Sequence, residues 1–382
     1  VLRTDELEFE LPEELVATTA AEPRDAARLL VVSRTDPGVL EHRHVRDLPE
    51  YLRRGDLMVV NSTRVIPARF VGARVGTGGR LPGLYLGRPQ DSGEERRWVV
   101  MLKGGHLHSG VEVGLGDGSV RLELLDRSTD EAAAWVARVH GAGDGESDRA
   151  VLERVGMTPL PPYILQARKH RGVEVLDSYD RERYQTVFAG VGEARPGDGP
   201  WHPGSVAAPT AGMHLTPELL GRLESNGVGR AEVVLHVGTG TFKPVETEFL
   251  EQHKMHEERC SVPHVTVEAI ARVRRERGRV LCVGTTTARA LESYAIMAAG
   301  GVPEPDWADT SLMITPGYQW KWVDMMMTNF HLPRSTLLAM VSSLFEQSGG
   351  AGGLARLKEI YRVAIAERYR FFSYGDAMLI LP

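Results

Sequence analysis

RVLCVGTTTARALESYAIMAA, residues 279–299, decides the fold class. Its first six residues form a short apolar run of the kind found in a strand buried on both faces. A Gly-Thr-Thr-Thr turn follows, and ARALESYAIMAA then carries a helical pattern. A buried strand feeding straight into a helix is the building unit of α/β architecture. Working outward, AEVVLHVG (231–238) is a second buried strand. VTVEAIARVRRERG (265–278) is a helix with Val267, Ile270 and Val273 on one side. Downstream, Ser335 opens a helix bearing Leu337, Met340, Val341, Leu344 and Phe345, and Leu354, Leu357, Tyr361 and Ala364 mark another. Toward the amino terminus, RLLVV (28–32) and DLMVV (56–60) are buried strands, and Asp47-Leu48-Pro49 opens a short helix that stops at Gly55.

Between residues 65 and 156 the texture changes. ARFVGARV, GLYLGR, RWVVML, GVEVGL, SVRLELL and AAWVARV are short β-like pieces punctuated by Gly, Asp and Ser. This spacing fits a small antiparallel barrel or sandwich, although the alanine-rich last piece also suits a helix. The expected organisation is an α/β domain built from residues 1–64 and 157–382, interrupted by a β-rich domain at 65–156.

At 382 residues the chain is long enough for two cores. It is 42% hydrophobic and 25% charged, as expected of a globular protein, and no apolar run reaches the roughly 18 residues of a membrane span. The acidic start VLRTDELEFELPEEL is unlike a signal peptide. Two cysteines, Cys260 and Cys282, exclude a disulfide framework and point to a reducing, cytoplasmic compartment. A net charge of −6 argues against nucleic-acid binding by bulk charge, while leaving room for a local basic patch.

Several turns carry candidate chemistry. Gly284, Thr285 and Thr286 present backbone N–H groups at a helix N-terminus, a setting that binds carboxylates or phosphates. Arg289 and Glu292 follow three residues apart, as an anion contact or as a surface ion pair. The VVLHVGTGTF stretch places Gly238, Gly240 and Thr241 after a strand, where glycine lets a ligand approach the backbone. His236 in that run is a candidate ligand or a core histidine. AAPTAGMHL offers Ala211, Gly212 and His214 before a Thr216-Pro217 helix start, a small-residue loop suited to a flat ligand such as adenine. TNFHLPRST sets Asn329 and His331 at a strand end, where α/β sheets bind ligands. In FFSYGDAM, Asp376 is either a turn cap or an acceptor for a guanine-like edge. His253, His256 and Glu257 are too sparse a cluster to argue for zinc, and no metal is expected. Of two basic stretches, QARKHR is the better candidate for phosphate contact, through Arg168, Lys169 and Arg171, since it is expected on a loop. RVRRERGR reads as a solvated face.

Ten motifs, taken in order, resemble one family: NSTRVIPARF (61–70), TPLPPYI (158–164), YQTVFA (184–189), GSVAAPTAGMHLTPELL (204–220), LHVGTGTFKPV (235–245), HKMHEE (253–258), VGTTTARALES (283–293), TPGYQWKWVD (315–324), TNFHLPRSTLL (328–338) and YRFFSYGDAM (369–378). The chain is identified on them as a member of the tRNA ribosyltransferase-isomerase family of queuosine biosynthesis. The resemblance implies an α/β main domain with an inserted small antiparallel β-barrel. It also implies transfer of the ribosyl moiety of S-adenosylmethionine onto 7-aminomethyl-7-deazaguanine at the tRNA wobble position. Adenine and methionine leave and epoxyqueuosine forms, with S-adenosylmethionine as substrate and no cofactor.

Under this resemblance Ala211, Gly212, Gly238, Gly240, Thr241, Gly284, Thr285, Thr286, Arg289 and Glu292 are expected to bind S-adenosylmethionine. Asn329, His331, Tyr374 and Asp376 are expected on the acceptor side. His214, His331 and Asp376 are the candidates for proton transfer. A monomer without membrane association is the working expectation. The barrel segment departs from the family pattern: TGGRLPGLYL puts Pro82 and Gly83 where relatives carry a glutamate. That departure keeps two alternatives in view, a paralogue that cleaves S-adenosylmethionine or serves a non-tRNA acceptor, and a non-catalytic binding module.

Overall fold

Strand residues that alternate between two apolar environments build the centre of the molecule. The computed structural model describes residues 2–89, 95–129, 133–190, 204–238, 245–300, 307–346 and 352–382. Three strands come first: β1 (Arg28–Ser33), β2 (Leu40–His44) and β3 (Leu57–Asn61). The next six are β4 (Arg69–Arg74), β5 (Arg80–Gly87), β6 (Arg97–Leu102), β7 (Glu112–Leu115), β8 (Val120–Arg127) and β9 (Ala134–His140). Another six follow: β10 (Gly229–Leu235), β11 (Glu258–Ser261), β12 (Val280–Val283), β13 (Ala308–Thr310), β14 (Met325–Asn329) and β15 (Ala377–Leu381). The α-helices are α1 (Asp148–Val155), α2 (Pro162–Arg171), α3 (Asp177–Arg183), α4 (Pro217–Ser225), α5 (His264–Arg275), α6 (Thr285–Ala299), α7 (Thr336–Leu344) and α8 (Gly353–Ala366).

Among the described residues, nine strands form one mixed sheet in the order β13-β11-β10-β3-β12-β14-β15-β1-β2. β10, β3, β12 and β14 run parallel, while β15 runs against β14 and parallel to β1. Period-two alternation divides the strand side chains between the faces. Leu57, Val59, Val280, Cys282, Met326 and Met378 meet α5 to α8 on one side. Met58, Val60, Leu281, Val283, Met325, Met327 and Leu379 meet α4 and its neighbours on the other. Both cysteines are free and buried in the first layer, and burial pushes their thiols up, Cys260 to about 12.

β4 to β9 close into an antiparallel barrel in the order β4-β5-β6-β9-β8-β7. AAWVARV is therefore a strand: Trp135 and Ala137 point into the barrel core, where no helix face would fit. α1 packs Val151 and Leu152 on that core, and Ser147 caps it by accepting from Ala150 N at 3.2 Å. Gly83 lies on β5 beneath Phe70, whose ring occupies the place a Cβ would take. An apolar contact thus fills this position.

Candidate active site

The four parallel strands deliver their carboxyl ends to one edge of the sheet, and the start of β15 joins them because that strand runs the other way. This is the edge at which α/β sheets hold ligands. Asn61 finishes β3 there. Its Oδ1 accepts from Leu235 N and Thr63 N, both at 3.1 Å, and its Nδ2 donates to Leu235 O at 3.0 Å and Thr286 Oγ1 at 3.3 Å. One amide side chain therefore locks the ends of β3 and β10 to the first turn of α6. At the end of β12, Gly284 has φ +92° and ψ 152°, a conformation that only glycine adopts cheaply. Its N–H donates to Met327 O at 2.8 Å. The turn sends the chain directly into α6, so first-turn amides without intrahelical acceptors face the sheet edge.

A cleft opens above this edge. One wall is Gly284, Thr285 and Thr286, and beside it lie Ala208 to Ala211. Thr328, Asn329, His331 and Ser335 form the β14–α7 side, and Tyr163, Phe372 and Ser373 also line the cleft. The polar groups are cross-braced. Thr210 Oγ1 donates to Asn329 Oδ1 at 3.0 Å, and Asn329 Nδ2 donates to Phe372 O at 3.1 Å. His331 Nε2 shares a hydrogen bond with Thr328 Oγ1 at 2.8 Å, and Tyr163 Oη pairs with Ser373 Oγ at 2.5 Å. Burial lowers the His331 imidazole to about 4 and raises the Tyr163 phenol to about 12. Both are neutral near pH 7. Among the described residues lining the cleft they are the only titratable side chains.

The nominated residues divide into two groups. Ala211, Gly284, Thr285, Thr286, Asn329 and His331 line this one cleft. Gly238 follows the lining residue Val237, and its N–H donates to Glu258 Oε1 at 3.1 Å. Gly240 and Thr241 lie outside the described residues. Gly212 faces away from the cleft, and a Cβ there would come within 2.8 Å of the Phe188 ring.

The charged candidates are engaged elsewhere. Arg289 is buried and paired with Glu258, and it donates to Leu312 O at 3.2 Å. Its expected neighbour Glu292 is also buried. That carboxylate accepts from Tyr318 Oη and from the backbone N–H groups of Lys321, Trp322 and Val323, at 2.8 to 3.1 Å. Neither residue is a surface pair or an open anion site. The oxygens of Asp376 accept from Arg28 N, Arg370 N and the Arg370 guanidinium at 2.8 to 3.3 Å, an arrangement that caps a turn instead of facing a base. Tyr374 is buried, donates to Asp180 Oδ1 at 3.0 Å and packs edge-on against Tyr184, so its ring offers no open stacking face to the cleft.

His214 is buried with Nδ1 3.0 Å from Ala211 O and Nε2 2.8 Å from Gly375 O, and desolvation lowers its pKa. It ties two turns together behind the cleft wall. QARKHR is a helical segment, not a loop: Arg168 is buried and bidentate to Asp180 at 2.7 and 2.8 Å. Lys169 and Arg171 are both exposed, and Arg171 donates to the carbonyls of Val16 and Glu13. His236 bonds Thr63 Oγ1 at 2.9 Å and stacks on Trp307. Among the described residues no group of three or more His, Cys, Asp or Glu is placed to hold a metal ion.

Sequence reasoning missed Asn61, Tyr163 and Ser373. The signal was available for Asn61, because NST follows the buried run LMVV just as GTTT follows VLCV. Tyr163 and Ser373 meet across 210 residues, and no local pattern announces that pairing.

Comparison with known proteins adds the following. A family described as queuosine biosynthesis protein matches residues 4–380. An S-adenosylmethionine:tRNA ribosyltransferase-isomerase of Gloeobacter violaceus is 44% identical over 380 residues, covering 99% of this chain and 96% of the relative. The protein of that name from Symbiobacterium thermophilum is 44% identical over 381 residues, covering 100% of both. The crystal structure of the S-adenosylmethionine tRNA ribosyltransferase of Thermotoga maritima is similar, with 32% identity, a TM-score of 0.50, and 98% of this chain and 100% of that one covered.

Proposed function

This chain belongs to the queuosine biosynthesis protein family, and on that premise we propose that its cleft is where the ribosyl moiety of S-adenosylmethionine passes to a tRNA base. The activity is that of an S-adenosylmethionine:tRNA ribosyltransferase-isomerase. The observation that carries it is full-length identity of 44% to relatives of that activity. The acceptor is 7-aminomethyl-7-deazaguanine at the wobble position, the product is epoxyqueuosine, and adenine and methionine are released.

The cleft suits the chemistry. A sulfonium withdraws electrons from the neighbouring ribose 5′ carbon, so a proton there becomes removable and the ring opens as adenine departs. The methionine carboxylate is assigned to the first-turn amides of α6, with Thr285 and Thr286, because a helix N-terminus favours an anion. Asn329 and His331 form the acceptor side. Of the three groups nominated for proton transfer, His331 is the one that lines the cleft, and we assign that part to it. The acceptor amine must be neutral to attack, and uncharged walls favour its neutral form over its ammonium form. S-adenosylmethionine is a substrate in this scheme, and no further cofactor is invoked. Lys169 is the phosphate contact retained from QARKHR. Among the described residues no helix is long and apolar enough to cross a membrane. We propose a cytoplasmic monomer.

Adenine release tests the reading. With S-adenosylmethionine and tRNA bearing the aminomethyl base, adenine appears, and without the tRNA it does not. Release without tRNA marks a small-molecule enzyme instead, and no release under either condition marks a binding protein.

A further inference from the structure

Resting on the reading that S-adenosylmethionine is the substrate, we infer that the rings of Tyr163 and Phe372 seat its sulfonium. The cleft must hold a cation, yet no carboxylate is among its described lining residues. The acidic side chains behind the walls are spent: Glu258 on Arg289, Glu292 on the 321–323 backbone, and Asp376 on Arg370. What the cleft offers a cation is an aromatic corner. The Tyr163 and Phe372 rings stand 4.8 Å apart, centroid to centroid, inclined at 57°, and both residues line the cleft. In this reading the corner between the two inclined rings receives the sulfonium, because a π face attracts an alkylated cation.

Phe372 is held in place at a conformational cost. Its φ is +70°, the left-handed region that a bulky side chain rarely adopts. Three hydrogen bonds fix it there. Phe372 N–H donates to Phe330 O at 3.1 Å, and its carbonyl accepts from Asn329 Nδ2 at 3.1 Å and Gly375 N at 2.9 Å. Tyr163 is fixed from the other side by its bond to Ser373. Asn329 thereby positions the corner as well as lining the cleft. The choice of rings over a carboxylate suits the reaction. A contacting carboxylate would neutralise the sulfonium and blunt the acidity of the 5′ carbon. A π face attracts the cation and carries no charge to quench it.

Affinity for S-adenosylmethionine and for its neutral thioether counterpart S-adenosylhomocysteine, measured by calorimetry on the full chain, tests the seat. Melting temperature is followed alongside. Wild type prefers the sulfonium. Tyr163→Leu and Phe372→Leu keep apolar contact but lose the π face, and each narrows that preference by about 5- to 30-fold. Tyr163→Phe holds it within about twofold, since the ring remains. If Phe372→Leu does not fold, Tyr163→Leu decides. An unchanged preference in a folded Leu variant overturns the seat, as does a wild type with no preference. A wild type that binds neither compound overturns the substrate reading, and the seat falls with it.

Discussion

The wall of the cleft and the shell immediately behind it are built from opposite materials. The wall is small and neutral: Gly284, Thr285, Thr286, Ala211, Asn329, Ser373, a neutral histidine and a neutral tyrosine. The shell holds the charges: Arg168 on Asp180, Arg289 on Glu258, Arg370 on Asp376, and Glu292 on a loop backbone. Charged motif residues here brace turns, and the turns they brace present backbone and hydroxyl groups to the cleft. Changes in the shell should therefore be read in stability, and changes in the wall in binding.

The largest effect is expected at Arg168. Arg168→Ala leaves Asp180 buried without its cation, with the Tyr374 hydroxyl still donating to it, at a cost of about 3–5 kcal/mol in denaturant unfolding. The double variant Arg168→Ala/Asp180→Ala should recover part of that loss. Weaker tRNA binding at unchanged stability would instead return Arg168 to phosphate contact and blur the division.

His331 gives the next effect, because it belongs to the wall yet is buried. Its folded pKa of about 4 lies below the unfolded value, so between the two the unfolded chain binds more protons. Stability then falls as pH drops from about 6.5 to 4, by up to about 3 kcal/mol. His331→Asn should lose that part of the slope. A slope unchanged in the variant would mean the imidazole is not the neutral group described.

Asp376→Ala should cost about 1–3 kcal/mol, from the part-buried N–H groups of Arg28 and Arg370 left without an acceptor. Losses in S-adenosylmethionine affinity and in acceptor-dependent turnover should be equal. A selective loss of acceptor use would move Asp376 from the shell to the wall. Thr285→Ala is the smallest change, about 0.5–1.5 kcal/mol in binding with the melting temperature held. A drop in stability without one in affinity would reverse its assignment.

The same division explains what the sequence made legible. Strands such as VLCV and LMVV are readable because both neighbours and both faces are apolar, and period and length suffice. The barrel texture was readable for the same reason, apart from AAWVARV, whose alanines suit either state until the barrel core is known. Gly284 to Thr286 and Asn329 could be placed because a strand end followed by a helix fixes where backbone amides point. The charged residues misled because an ion pair depends on a partner that spacing does not show. Arg289 and Glu292 are three apart, yet Arg289 reaches back to Glu258 and Glu292 reaches forward to 318–323. For Arg168 the signal is local: Pro162 opens the α2 helix, so QARKHR falls on a helix and not on a loop.

A crystal structure with S-adenosylhomocysteine bound, a ligand that cannot react, tests the division most directly. The account predicts the ligand in the cleft between the α6 N-terminus and the Tyr163–Phe372 corner, with its carboxylate on the Thr285–Thr286 turn and Arg289 still paired with Glu258. A ligand carboxylate that displaces Glu258 from Arg289, or a nucleoside seated on Asp376, would contradict it.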